Sequence, residues 1–487
     1  MIQSLKKLSL TQFAIALAVF AMAVRLLTLG IYPLMDTTEA RYGEMARIMF
    51  ETGNWITPMF DYDVPFWGKP PLFTWLSATG FEFLGVSEFA ARVPHLIVGC
   101  MVLCLVWLLA AREKGNRNTA WLAVAILATT TAFSVIAGAV MTDMALTLAI
   151  TLSMVSFWFA WQKKSRGWGY LFFVGLAIGM LAKGPLTLVL VGISLVLWLA
   201  QDKRWQQIPT CLPWKGGVVL FLLISLPWYL LAEWKTPGFL NYFIIGEHIK
   251  RFVVSGWEGD LYGSAHKELR GTIWVYWILA ALPWSPVLFY QVSRFFRNGQ
   301  EGVQSESGYL GFLWCWMLSP LLLFTFAGNI LPSYVLPGLP AMALLITAYH
   351  YQQPLSERVF KLGLITPVLI VIVALLLKFN LTGKEAEKHL MAQWASQAET
   401  SQSELLYVNH RPFSAQFYSN GQAKAVSGPI TELMKNAKSD VFIVIDKKHI
   451  PEGFLWDKRR CELRGESKKR ELIYCKSITP SLVDVVP

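Results

Sequence analysis

Apolar runs long enough to cross a bilayer recur from residue 11 to residue 377, and they restrict the fold of this chain more than any other feature. A transmembrane helix needs roughly 20 predominantly apolar residues. Charge-poor runs of about that size fall at 11–34, 93–111, 118–142, 144–162, 167–182, 184–201, 216–232, 271–293 and 362–377. Two more lie within 309–356, divided at Gly328-Asn329-Ile330-Leu331-Pro332, so about eleven spans are expected. The composition agrees, with 54% hydrophobic and 15% charged residues and a mean hydropathy of +0.44. The net charge of +11 does not point to nucleic acid, because the basic residues sit mostly in short loops between apolar runs.

The first run follows Lys6 and Lys7. Ala21-Met22-Ala23 loosely fits a signal-cleavage site, but the apolar pattern continues past it, which indicates an uncleaved first helix. Arg25 within that helix either snorkels or faces other helices. Residues 71–88 are apolar but short and contain Glu82 and Glu88, so they fit either a span or a helix lying in the interface. Charge decides between these. With 71–88 flat, Arg112/Lys114/Arg117, Lys163/Lys164/Arg166, Lys203/Arg204, Arg294/Arg297 and Arg358/Lys361 share a side with Lys6 and Lys7, as the positive-inside rule asks.

The expected fold is therefore an α-helical polytopic membrane domain over residues 1–379 and a small C-terminal α/β domain over 380–487. A first outer loop spans 34–92 and carries interfacial helices. Segments 405–409 and 441–446 read as buried strands, and 383–398 and 429–438 as helices. Cys461 and Cys475 flank a possible hairpin, and outside the cytosol a disulfide between them is chemically allowed. Cys100, Cys104 and Cys315 lie in spans and read as packing residues.

Polar chemistry gathers on the outer side of this topology. If 36–52 is helical, Asp36 and Glu39 lie one turn apart, with Arg41 and Tyr42 beside them. Such a group fits a proton acceptor beside an anion cradle, or an amphipathic interfacial helix with solvated charges. Lys69 is aimed by the prolines that follow it, to meet a lipid phosphate or to snorkel. Asp143 stands alone at the mouth of two apolar runs, where a carboxylate is costly without a partner or purpose; capping the next helix is the plainer alternative. Lys183 sits at an outer span end, as do Glu247, His248 and Arg251 in GEHIKRF. His248 suits titration or metal, though hydrogen bonding is the commoner role of a lone histidine. The prolines around Tyr334 interrupt a span, and irregular backbone there usually lines a cavity. The sequence has no G-x-G-x-x-G, Walker or H-E-x-x-H pattern and no paired-cysteine zinc site.

Taken together, DTTEARYGEMARIM, WITP, PFWGKPPLFTWLS, VSEFAARVP, MTDMAL, AKGP, GEHIKRF and LPSYVLPGLPA resemble the polyprenyl-phosphate-dependent GT-C glycosyltransferases. The likeness is to the bacterial aminoarabinose transferases of lipid A and the wider protein-mannosyltransferase-like family, over about residues 10–350. The resemblance implies a GT-C-like fold in the bacterial inner membrane, with a cytoplasmic N-terminus and a periplasmic active site and C-terminal domain. It implies inverting transfer of a sugar from a polyprenyl (undecaprenyl) phosphate to a hydroxyl or phosphate, on lipid A or lipopolysaccharide before protein. A protein O-glycosyltransferase and a lipid-linked sugar flippase are the alternatives. Asp36 or Glu39, with Asp143, are the implied catalytic carboxylates, and Arg41, Lys69 and Tyr334 the phosphate contacts. Lys183 and Arg251 are added to the phosphate contacts, and Tyr42, Glu247 and His248 are supporting residues. The family's aspartate before the glutamate is replaced here by Thr38. Gly68 stands where the aminoarabinose transferases carry a glutamate suited to metal. No cofactor is required by this reading, although a divalent metal is chemically admissible.

Overall fold

The computed structural model describes residues 9–113, 117–163, 165–201, 204–254, 257–263, 268–297, 308–382, 386–398, 403–428, 440–450 and 460–476. The helix expected at 429–438 lies outside them. Contacts divide the chain into two units, Met1–Ile31 with Met49–Leu375, and Tyr32–Ile48 with Leu376–Pro487.

The first unit is helical. Helix α1 (Leu10–Thr28) starts in a capping box, in which Ser9 and Gln12 satisfy each other's backbone N–H groups. Helix α2 (Thr38–Thr52), which belongs to the second unit as far as Ile48, is followed by a short hairpin of the first, β1 (Met59–Asp61) and β2 (Val64–Pro65). Helix α3 (Leu72–Leu84) has 13 residues, about 20 Å at 1.5 Å per residue, too short to cross a bilayer core of about 30 Å. Then come α4 (Glu88–Glu113), α5 (Arg117–Ala128), α6 (Thr131–Ile136), α7 (Asp143–Trp161), α8 (Arg166–Lys183) and α9 (Leu186–Gln201). The short α10 (Ile208–Cys211) leads into α11 (Trp214–Lys235), a π-helix over Asn241–Lys250 and the single turn α12 (Arg251–Val253). Helices α13 (Thr272–Ala280), α14 (Ser285–Arg297), α15 (Tyr309–Thr325), α16 (Leu339–Gln352) and α17 (Ile365–Lys378) complete the bundle.

Six described helical segments are long and apolar enough to cross a membrane: Leu10–Thr28, Glu88–Glu113, Asp143–Trp161, Trp214–Lys235, Pro332–Gln352 and Glu357–Lys378. The pair α13/α14 passes the same test as one broken span, bent by 100°. The bend falls at Pro283, where a proline cannot continue the hydrogen-bond ladder. Helices α9 and α15 are apolar but shorter, with 16 and 17 residues. The run 118–142 breaks at Thr129 and Thr130, whose hydroxyls donate to the carbonyls of Ala125 (2.6 Å) and Ile126 (2.8 Å). The eleven apolar runs thus become helices of unequal length. Those on the outside, α1, α11 and α17, expose Leu27, Leu223, Val368 and Leu369, as a lipid-facing surface requires. The chain is a multi-pass membrane protein.

Helix α7 lies at the centre, nearly enclosed, and Trp158 packs on Phe312 and Trp198 with centroids 4.8 and 5.7 Å apart. Gly175 lets α8 approach it closely; a β-carbon there would sit 2.4 Å from Ser153 Oγ. Arg25 does not snorkel. It is 3% exposed, and its guanidinium donates to the carbonyls of Ala137 (2.6 Å) and Val135 (3.0 Å), satisfying the backbone where α6 ends.

The second unit holds a five-stranded sheet in the order β4-β3-β5-β7-β6. Strands β3 (Glu404–Val408), β4 (Ala423–Val426) and β5 (Val441–Asp446) are parallel, whereas β7 (Arg470–Cys475) runs antiparallel to β5 and to β6 (Cys461–Glu466). Helix α18 (Lys388–Ala398) covers one face, burying Leu390, Met391 and Trp394 against Leu405, Phe442 and Leu472. Helix α19 (Phe413–Tyr418) joins β3 to β4. A disulfide links Cys461 to Cys475, which face each other across the β6–β7 hairpin. Closing a loop of that size stabilises by about 3 kcal/mol.

Candidate active site

In the first unit the π-helix Asn241–Lys250 and its continuation α12 organise the charged side chains. Its wider turn lets His248 Nδ1 meet the Phe243 carbonyl, five residues back, at 2.8 Å. Glu247 then faces Arg251, whose Nη1 donates to both carboxylate oxygens at 3.0 and 3.1 Å. Lys69 Nζ donates to Glu247 Oε2 at 2.7 Å and to the Gly68 carbonyl at 2.6 Å. The hydroxyl of Tyr242 approaches Glu247 Oε1 at 3.3 Å, and Asp260 lies 3.4 Å from Arg251.

Burial pushes the Glu247 carboxyl upward, but Lys69 and Arg251 outweigh it and hold the group below the usual glutamate range. Burial opposes the charge of Arg251 as well, and Glu247, Tyr334 and Asp260 more than restore it. Burial pushes the Tyr262 hydroxyl up to about 12, leaving it a donor at neutral pH, and it donates to the Pro65 carbonyl at 2.8 Å. The same oxygen accepts from Trp67 N–H at 3.0 Å, which fixes the loop ahead of Lys69.

A second ion pair lies beside the first. Lys183 ends α8, Asp143 begins α7, and the ammonium donates to Asp143 Oδ1 at 2.8 Å with both side chains buried. The ammonium also sits over the Tyr334 ring, 4.6 Å from its centroid, while Phe324 packs against that ring at 4.7 Å. His248 Nε2 lies 3.2 Å from the Lys183 carbonyl, so the π-helix touches the end of α8 directly. Burial is the largest influence on His248 and keeps its imidazole below the usual pKa. Only glycine fits at 184, where φ is +74° and a β-carbon would lie 2.6 Å from the Phe243 ring. Asn329 closes this end, donating to the carbonyls of Arg251 (2.7 Å) and Val254 (3.0 Å).

Lys69, Asp143, Lys183, Glu247, His248, Arg251 and Tyr334 therefore come together from five separate stretches of the first unit. Three cations face three carboxylates, Asp143, Glu247 and Asp260. A further anion with several oxygens would find donors already aimed and partly stripped of water. Among the described residues no three or more His, Cys, Asp or Glu side chains gather as a metal-ligand set. Sequence reading missed Tyr242, Asp260, Tyr262 and Asn329. Of these Asn329 had a signal, standing in the turn that splits two apolar runs.

Asp36, Glu39, Arg41 and Tyr42 belong to the second unit. Asp36 bonds to Ser414, and the Arg41 guanidinium lies over the Tyr42 ring at 5.0 Å. One turn further along α2, Glu44 and Arg47 form a buried two-bond pair at 2.7 and 2.8 Å.

Comparison with known proteins gives a consistent likeness. A family model described as dolichyl-phosphate-mannose-protein mannosyltransferase matches residues 14–243. The undecaprenyl phosphate-alpha-4-amino-4-deoxy-L-arabinose arabinosyl transferase of Erwinia tasmaniensis is 31% identical over 350 residues, covering 70% of this chain and 59% of that protein. Its Yersinia pestis counterpart is 32% identical over 347 residues, covering 69% and 59%. The chain thus spans about three fifths of the length of these relatives. The crystal structure of ArnT from Cupriavidus metallidurans bound to undecaprenyl phosphate superposes with a TM-score of 0.76 at 18% identity, covering 95% of this chain and 98% of that one. The fold is the GT-C fold, with a small sheet-containing region after the helices.

Proposed function

We propose, from the premise that this multi-pass membrane chain has the GT-C fold and is similar to the aminoarabinose transferases, that it moves a sugar from a polyprenyl phosphate onto lipid A or lipopolysaccharide. The observation that carries this reading is the gathering of half-buried Lys69 and Arg251 with buried Lys183 and the Tyr334 ring, a cradle for one phosphate. The named relatives act with undecaprenyl phosphate, and the Cupriavidus structure was determined with it bound.

In this mechanism the donor phosphate takes hydrogen bonds from Lys69 and Arg251, with the Lys183 charge behind them. The bond between the anomeric carbon and the phosphate oxygen breaks while an acceptor oxygen attacks from the opposite face of the sugar. One displacement inverts the centre, on the geometric logic of inverting hydrolases. The polyprenyl phosphate leaves with its charge matched by the cations, so they act most strongly where negative charge develops. An acceptor phosphate attacks as an anion and needs no base. An acceptor hydroxyl must lose a proton, and Asp143 is the carboxylate of the first unit assigned that task.

The short basic loops support, through the positive-inside rule, a cytoplasmic N-terminus and a site on the periplasmic side of the inner membrane. The experiment supplies purified full-length protein with undecaprenyl-phosphate aminoarabinose and lipid A, then reads the product by mass. Modified lipid A is expected. Transfer to peptide hydroxyls alone would replace the lipid acceptor by protein, the acceptor in the matched family's description. Donor crossing vesicles with no product formed would mean a flippase.

A further inference from the structure

We propose that Asp36 is a positioning residue, bonded to Ser414 so that the C-terminal α/β fold braces the segment carrying Glu39 and Arg41. The inference rests on the transferase reading above for its activity readout, and on geometry for the contact itself.

Both carboxylate oxygens of Asp36 are engaged by one residue 378 positions away. Oδ1 accepts from the Ser414 backbone N–H at 3.1 Å, and Oδ2 accepts from the Ser414 hydroxyl. Ser414 is the second residue of α19, where a backbone N–H has no partner inside its own helix. Asp36 supplies that partner.

The bond is the outer end of a buried chain. Ser414 Oγ also accepts from the Glu387 backbone N–H at 3.0 Å. The Glu387 carboxylate in turn accepts from the Tyr407 hydroxyl at 3.1 Å and from the Arg470 guanidinium. Ser414, Glu387 and Tyr407 are each 2% exposed or less. The chain of bonds passes from the 32–48 segment through α19 and the start of α18 to β3 and β7. Two further ties, one polar and one apolar, run beside it. Leu34 N–H donates to the Tyr418 hydroxyl at 2.7 Å, and Gly43 lets α2 lie close to Leu34 and Phe417. A residue whose two oxygens are both turned into its own fold is built to hold position. The α/β fold is thereby part of the construction of the 32–48 segment.

Full-length purified protein tests this in two parallel arms, sugar transfer across pH and hydrogen exchange of backbone amides 38–48. Asp36→Asn keeps the geometry, because its amide oxygen still accepts from the Ser414 N–H and its NH2 can meet Ser414 Oγ. It should cost no more than a few-fold in kcat and leave the acidic limb of the profile in place. Asp36→Ala and Ser414→Ala should each speed exchange in 38–48, with the double variant no faster than either, as for residues acting through one bond. A loss of about a hundredfold or more in Asp36→Asn, or a shifted acidic limb, would make Asp36 a proton acceptor and overturn the proposal. Unchanged exchange in Asp36→Ala would overturn it as well. If wild-type protein transfers no sugar, the functional reading fails while the exchange arm still decides the brace.

Discussion

Glu247 is the residue on which most of the first unit's charge chemistry turns, because two cations and a tyrosine hydroxyl converge on one buried carboxylate. Its folded pKa is depressed, so its stabilising contribution is present above the ordinary value of 4.5 and is lost as pH falls through the folded value. Asp36 and Glu387 behave oppositely. Burial raises both, so their contribution is fully present below the unfolded values of 3.8 and 4.5 and fades as pH rises through the folded ones. Hydrogen exchange corrected for intrinsic rates should therefore show 413–418 gaining protection relative to 241–250 as pH falls from about 7 to about 4.5; the reverse trend would contradict these assignments. Asp143→Asn leaves Lys183 buried beside a neutral partner and should cost about 3–5 kcal/mol, seen as a lower Tm. Lys69, Asp143 and Lys183 were legible as isolated charges at apolar borders. Their pairing was not, since it depends on which side chains meet across the bundle, and nothing in one sequence marks Asp260 or Ser414 as a partner.

Among elements, the π-helix Asn241–Lys250 and the β6–β7 hairpin do the most to fix side chains. The sequence shows GEHIKRF as a charged stretch, but its wider turn comes from packing against α8 and from the His248 contacts to two carbonyls. Strands β3 and β5 were legible because their apolar runs match buried strands. Helix α19 was not, having six residues and no apolar period. The 34–92 stretch reads as one loop, yet its first part groups with the C-terminal unit. Local pattern carries no sign of the Asp36–Ser414 bond, which joins residues far apart in the chain. Reducing Cys461–Cys475, or replacing both by serine, should lower the stability of the sheet unit by about 2–4 kcal/mol. Denaturation followed by tryptophans of both units, with protection of β6 and β7 read separately, checks that the loss is local.

At the scale of the whole molecule, apolar run lengths made the membrane fold readable, while spans broken by prolines and threonine hydroxyls kept the number of helices from being counted by eye. The proposed function rests on the first unit's charged group, seven of whose residues were separately visible in sequence and are close in space. Charge-assisted bonds of this kind contribute about 1.5–3 kcal/mol each, so Lys69→Ala and Arg251→Ala should each weaken phosphate binding about ten- to hundredfold. The most direct test is equilibrium binding of undecaprenyl phosphate to purified wild-type protein and these two variants, with folding checked by thermal unfolding. A loss of at least tenfold in both folded variants is predicted. Wild-type affinity in either folded variant would contradict the account.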